Sequence, residues 1–350
     1  MPRITSQHPV ADSGLSATTS REVFDQIDRF AGYGFNKSHA AAYAAISFQT
    51  AWLKTHYPEC FFAAAMNLDL DSVEDIAQFA DSLKTRGVPF WTPSINQSRA
   101  RFTPLKLKTT HKGFGHGIAY ALSAIRGVGV SVAEAVEAER KRGGAFRDFG
   151  DFTDRMNGAV NRTALRGLAK AGAFDVFGLS RSDALAHAED RAASAPTGQM
   201  SMFDAMGADV ETAAPALSED TVLDNEFSVL GHYMSAHPLD TMPRGSEDAV
   251  FRDSVLDAAR PPRKAVMGAV VTKVDVRRTN AGDVMAVATL SDPDGLYEAL
   301  AFGESWDSLR HSVKKGARLR AEVSVSQRGS ERRIILERVS PLACEIDQAA

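Results

Sequence analysis

Three short stretches of this 350-residue chain join backbone donors to cations in a way that suits a phosphate. The first is Gly32-Tyr33-Gly34-Phe35-Asn36-Lys37-Ser38-His39-Ala40. A glycine turn feeding a helix start leaves amide N–H groups unpaired, here beside Lys37. The second is Arg126-Gly127-Val128-Gly129, followed by a helix that Ser131 would cap. The third is Lys170-Ala171-Gly172-Ala173-Phe174-Asp175, between a helix capped by Asn161 and one starting at Ser182. Glycine lets a backbone approach a phosphate closely, and the next helix start donates to it. Each turn taken alone also fits a plain helix terminus with its closing glycine. Two copies of an apolar or small residue beside glycine, joining helices, favour paired helix-hairpin-helix units, which hold sugar-phosphate backbone across the minor groove and read few bases.

The charge distribution agrees. The net charge is −4, yet residues 99–182 carry 15 basic against 7 acidic residues and 183–250 carry 2 against 13. Residues 251–342 are basic again, with 16 against 12. Two cationic modules around an acidic connector are the footprint of a nucleic-acid binder whose linker avoids the same polyanion. Cys60 and Cys344 are far apart in sequence and build neither a disulfide framework nor a zinc site. No apolar run reaches the ~20 residues that span a bilayer, so no membrane partner and a cytoplasmic location are expected. The paired acids Asp69/Asp71, Asp148/Asp151 and Asp292/Asp294 fall at caps and turns and are read as no metal site.

In the acidic connector, Gln199-Met200-Ser201-Met202-Phe203-Asp204 has the form of a clamp-binding peptide. Met202 and Phe203 would fill an apolar pocket while the Gln199 amide bonds at its rim. His232 and His237 share no spacing with a carboxylate or cysteine and read as structural. Beyond them the period changes to two. Strands at 264–278 and 283–292, a third at 296–302, a helix at 305–313 and strands at 318–326 and 331–339 are the order of an OB-fold barrel. Arg277, Arg278, Phe302, Arg332 and Arg333, with Tyr297 and Arg328, are its candidate single-strand contacts; a barrel serving only as a spacer stays open.

The wording around Gly32–Ala40, with Tyr43, Gln49, Trp52-Leu53-Lys54 and His56-Tyr57-Pro58, resembles the fingers of the bacterial DNA polymerase III alpha subunit. Ile125–Gly129 and Lys170–Asp175 resemble the tandem hairpins of that family, and the connector peptide and barrel follow in its domain order. The resemblance implies an α+β multidomain chain: a mostly helical fingers remnant and tandem helix-hairpin-helix domain, then an all-β OB-fold barrel. The expected divisions are a disordered start at 1–20, fingers-like helices at 21–112, the hairpins at 113–190, linker, clamp peptide and connecting helix at 191–262, the barrel at 263–342 and a tail at 343–350. It further implies that Gly34, Asn36, Lys37, Ser38 and His39 contact nucleotide or template. Expected partners are duplex DNA, single-stranded template, the beta sliding clamp and other holoenzyme subunits. The palm carboxylates that hold Mg²⁺ for nucleotidyl transfer have no counterpart here. The chain alone is therefore expected to bind no cofactor and to be inactive as a polymerase. An error-prone relative of alpha and a non-enzymatic clamp adaptor are the other readings.

Overall fold

The computed structural model describes residues 16–31, 37–111, 113–193, 217–242, 250–256, 262–278, 282–328 and 331–342. Gln199, Met202, Phe203, Gly34 and Asn36 lie outside them. The chain divides after Tyr57 into two compact units. The first contains α1 (Ala17–Ala31) and α2 (Lys37–His56). Lys54 and His56 in the last turn of α2 face the negative end of its dipole, and Trp52 packs on the His56 ring at 4.6 Å.

The second unit begins with α3 (Pro58–Leu68) and α4 (Val73–Arg86). Ser72 caps α4 by accepting the Asp75 N–H at 3.2 Å, and Gly87, at φ 70°, ends it in the left-handed region. Pro89, Pro93 and Pro104 suggest irregular or edge-strand chain where helices were expected up to residue 112, and residues 90–111 contribute to a sheet. β1 (Phe90–Trp91), β2 (Thr103–His111) and β3 (Phe114–Ala119) lie in the order β1-β3-β2. Pro104 is tolerated because β2 is an edge strand that need not donate on its open side. β2 and β3 form a hairpin in which His111 faces Phe114. Gly117 permits the close approach of β1: a Cβ there would lie 2.7 Å from the Trp91 ring and 2.8 Å from Pro89.

Four helices follow: α5 (Val130–Gly143), α6 (Phe149–Arg155), α7 (Arg162–Lys170) and α8 (Arg181–Ala193). Asp148 and Asn161 cap α6 and α7, accepting Asp151 N–H at 2.7 Å and Ala164 N–H at 2.9 Å. Ser182 was expected to start α8, but the helix begins at Arg181, with the Ser180 hydroxyl accepting the Asp183 N–H. α9 (Glu219–Leu230) lies beyond the connector. One apolar core runs from Phe62 through these helices to Leu230. Its centre is the edge-on trio Phe146, Phe152 and Phe174, with ring centroids 5.0 and 5.1 Å apart. Truncating Phe152 to alanine would cost about 3–5 kcal/mol.

After the short α10 (Arg252–Leu256) come β4 (Lys264–Arg278), β5 (Val284–Asp292), β6 (Gly295–Phe302), α11 (Gly303–Leu309), β7 (Arg318–Arg328) and β8 (Glu331–Pro341). They close into a barrel in the order β4-β5-β6-β8-β7. All pairs are antiparallel except β6 with β8. That ring, with a helix between the third and fourth strands, is the OB fold. Ala286, Ala288, Leu290, Ala299 and Ala301 alternate into a core that α11 closes with Trp306 and Leu309.

Polar bonds join barrel and helices. Asp81 of α4 accepts from the Arg252 guanidinium at 3.2 Å and from Leu296 N–H at 3.1 Å, and Lys84 donates to Pro293 O at 2.6 Å. His237 Nε2 lies 3.1 Å from Ser291 Oγ, and His232 Nδ1 lies 3.0 Å from Leu230 O. Burial pushes both imidazoles down to about 4, so they sit neutral inside the fold.

Candidate nucleic-acid interface

The two glycine bends differ in a way their sequences conceal. At the first, no helix precedes the bend as the sequence had suggested: β3 leads into a single 3₁₀ turn, Leu122–Ala124. The run from Ile118 to Leu122 is fully buried in sheet and core, which leaves the bend fixed from behind. Ile125 and Val128 are buried, whereas Arg126, Gly127 and Gly129 are exposed. Gly127 has φ +90°, a region other residues enter at a cost. α7 supports the bend through its small residues. A Cβ on Gly167 would lie 2.8 Å from Arg126 O, and one on Gly127 would lie 3.1 Å from the Thr163 methyl. Gly167 was missed from sequence. The signal was a glycine in a helix interior, which costs about 1 kcal/mol unless something packs there.

α9 clamps the same bend from another side. Arg126 N–H donates to Val229 O at 3.0 Å and its guanidinium to Ser228 O at 3.1 Å. The N-cap of α5 is Gly129, not Ser131, and no side chain caps it. Ala133 N–H donates to Gly129 O, whereas the amides of Val130, Ser131 and Val132 have no acceptor among the described residues. These donors, with the helix dipole behind them, face solvent at an exposed glycine.

The second bend is a correction to the expectation. Gly172 sits at φ +75°, but its neighbours' amides are occupied: Ala173 N–H donates to Leu168 O at 3.0 Å and Gly172 N–H to Ala169 O at 3.1 Å. This pair of bonds is a Schellman C-cap of α7. Ala171 and Ala173 are fully buried. Above Gly172 lies the Arg181 guanidinium, 2.5 Å from where a Cβ would stand. Arg181 is held by Asp175 at 2.9 Å and by Glu226 at 2.6 Å. Glu226 is wholly buried and also accepts Met234 N–H at 2.6 Å and both the N–H and hydroxyl of Ser235. Lys170, Ala171, Gly172 and Ala173 therefore close a helix and offer a phosphate no free amide.

Much of the positive charge nearby is internally paired. Lys141 pairs with Glu137, Arg142 and Arg155 with Glu139, Arg147 with Asp151, and Arg162 and Arg166 both with Glu189. Arg140 donates to Ile95 O and Ser98 O. The guanidiniums bonded to Glu139 hold its carboxyl below the usual range, as do the Arg162 bond for Glu189 and the Arg147 backbone bond for Asp151.

On the barrel, strand alternation separates residues adjacent in sequence. Arg277, Met285 and Phe302 align across β4, β5 and β6 on the outer face, and Phe302 is 41 % exposed. Arg278 is on the other side of its strand and donates to Gly282 O at 3.1 Å. Arg332 reaches Leu256 O, whereas Arg333 is exposed on the opposite side of β8. Arg278 and Arg332 thus lie off the face that carries Phe302, each with one guanidinium nitrogen bonded to a backbone carbonyl. Tyr297 is buried in the barrel core, unavailable for stacking. In the first unit Ser38 is exposed and His39 packs edge-on against Tyr43 at 4.4 Å. Among the described residues no group of three His, Cys, Asp or Glu is placed to hold a metal ion, and no helix is long and apolar enough to cross a membrane.

A helix-hairpin-helix family model matches residues 87–184. The DNA polymerase III subunit alpha of Neisseria meningitidis serogroup B is 36 % identical over 91 % of this chain and 28 % of its own length. Those of Caulobacter vibrioides and Thermus aquaticus are 35 % and 32 % identical, over 92 % and 97 % of this chain and 29 % of theirs. The second OB-fold domain of replication protein A from Methanococcus maripaludis aligns with 25 % of this chain and 87 % of its own at 18 % identity and TM-score 0.19, which adds nothing to the strand order above. The chain spans under a third of the length of the polymerase subunits it matches. Over about nine-tenths of its length the chain is similar to bacterial DNA polymerase III alpha subunits, and it carries a helix-hairpin-helix region and an OB-fold barrel.

Proposed function

We propose that this chain holds duplex DNA for a replicative polymerase of the alpha type and tethers it to the beta sliding clamp in the bacterial cytoplasm. The observation that carries the reading is the Arg126–Gly129 bend. Its φ +90° glycine, the amides of Val130, Ser131 and Val132, which have no acceptor among the described residues, and exposed Arg126 are what a phosphate needs, in a chain similar to a DNA polymerase subunit. Gln199, Met202 and Phe203 are the clamp peptide. The outer barrel face, with Arg277, Met285, Phe302 and Arg333, takes the single-stranded template with weak affinity, because Phe302 supplies the stacking surface alone. Gly34, Asn36, Lys37, Ser38 and His39 contact nucleotide or template, and other holoenzyme subunits join through the rest of the polymerase. Nucleotidyl transfer requires a palm whose carboxylates hold Mg²⁺.

Titration of a labelled duplex between about 50 and 200 mM salt tests the core of the reading. A log–log slope near −0.9 per phosphate neutralised, insensitive to base sequence, is expected. A flat salt response would refute it. Clamp capture is tested by pull-down, which Met202→Ala with Phe203→Ala should abolish without altering duplex affinity.

A further inference from the structure

The cations of residues 99–182 divide into two populations. Those on α5 to α8 are largely engaged with carboxylates or carbonyls, as described above. From Arg99 to Ala133 the sequence contains no Asp or Glu at all, yet it carries Arg99, Arg101, Lys106, Lys108, Lys112 and Arg126. This run is the β2–β3 hairpin, its root and the first bend. Arg101 and Lys106 are exposed and form no ion pair among the described residues. Lys106 is paired in register with His116, whose ring lies 3.8 Å from Glu59.

The hairpin root is bonded to the turn that enters the bend. Leu122 N–H donates to Arg99 O at 2.9 Å and Ser123 N–H to Ala100 O at 3.3 Å. The Ala100 N–H in turn donates to Glu137 at 3.0 Å, whose charge Lys141 matches at 2.9 Å. Arg101 and the hairpin thus project from the same rigid base as Gly127 and Gly129. The strand Thr103–His111 carries no Phe, Tyr or Trp for base stacking, so its chemistry is that of a backbone contact.

We propose that the β2–β3 hairpin is the second contact with the duplex sugar-phosphate backbone, made through Arg101 and Lys106, in the role the buried second bend cannot fill. The proposal rests on duplex binding at the first bend. Lysine on an edge strand has another use, which is to deter sheet-to-sheet pairing. That use predicts no effect on DNA affinity.

The test compares the full chain with Arg101→Glu/Lys106→Glu and with a control of equal net charge, Arg310→Glu/Lys314→Glu, on exposed barrel positions. Duplex affinity is read by fluorescence anisotropy at several salt concentrations. The hairpin variant should bind on the order of fiftyfold more weakly at 0.1 M salt, with a slope shallower by about 1.8. The barrel variant should stay within about twofold of wild type, because a change in net charge that removes no phosphate contact is largely screened by salt. Arg101→Gln/Lys106→Gln, which avoids new repulsion, should keep the same reduced slope. Equal losses in the hairpin and barrel variants, or an unchanged hairpin slope, would overturn the hairpin contact while leaving the bend standing. Failure of the wild type to bind duplex would overturn both.

Discussion

Gly129→Ala and Gly172→Ala should have opposite consequences, although both replace the glycine of a similar-looking turn. Gly129 has φ −69° and ψ 157°, ordinary extended backbone, and a Cβ there would meet nothing nearer than Ser131 Oγ at 4.0 Å. Its cost to folding is that of a poorer N-cap, under about 1 kcal/mol. On DNA, however, the methyl stands before the amides of Val130 to Val132 and keeps a phosphate oxygen at a distance. Charge-assisted hydrogen bonds contribute about 1.5–3 kcal/mol each, so losing one weakens duplex binding roughly ten- to hundredfold. Gly172 behaves otherwise. Its φ of +75° adds about 1–2 kcal/mol of backbone strain for alanine. Its Cβ would also press on an Arg181 guanidinium that Asp175 and Glu226 hold in place, bringing the total to about 2–4 kcal/mol. The affinity of the molecules that remain folded should not change. Urea melts and duplex anisotropy in one buffer measure both quantities. Equal affinity losses in the two variants, or wild-type binding by Gly129→Ala, would refute the assignment of the two bends.

Acid should destabilise the fold before its surface carboxylates titrate. His232 and His237 are held at about 4 in the folded chain against ~6.5 unfolded, so the unfolded state binds more protons and stability falls as pH drops from 6.5 towards 4. Asp292 opposes this, because burial outweighs its three amide bonds and pushes it up to about 6; the folded state then holds a proton that the unfolded one has released. From pH 7 to 5 each imidazole removes about 2 kcal/mol and Asp292 returns just over ~1. The net loss of about 2–3 kcal/mol is readable in urea melts, and equal or greater stability at pH 5 would contradict the buried neutral pair. Glu226→Ala leaves the half-buried Arg181 without its shorter partner and should cost about 3–5 kcal/mol. Glu226→Gln keeps an acceptor and should cost less, and a Gln variant as unstable as Ala would show that charge, not hydrogen bonding, holds the hub.

Strong local periodicity made the barrel legible in sequence. Alternation in Met285–Leu290 and Leu296–Phe302 places Ala286, Ala288, Ala299 and Ala301 inside before any contact is known. The same rule was overlooked for Arg277-Arg278 and Arg332-Arg333, neighbours that a strand must send to opposite faces. The β1–β3 sheet was only half visible. Pro89, Pro93 and Pro104 announce interruption, while the pairing depends on long-range register and on Gly117 admitting Trp91. The unequal bends were hidden for a sharper reason. Gly172 follows a nine-residue helix whose carbonyls absorb the amides of the turn. Gly127 follows a single 3₁₀ turn after a strand, so the donors beyond it open the next helix and point outward. Identity of the glycine does not distinguish these cases; what precedes it does.

Backbone amide shifts on adding duplex DNA give the most direct test of how this chain grips its ligand. In a ¹⁵N-labelled sample the resonances of Gly127, Gly129, Val130, Ser131 and Val132 should move and saturate together, and those of Ala171, Gly172 and Ala173 should stay fixed. Shifts concentrated at Ala171–Ala173, with Gly129–Val132 unmoved, would contradict the account.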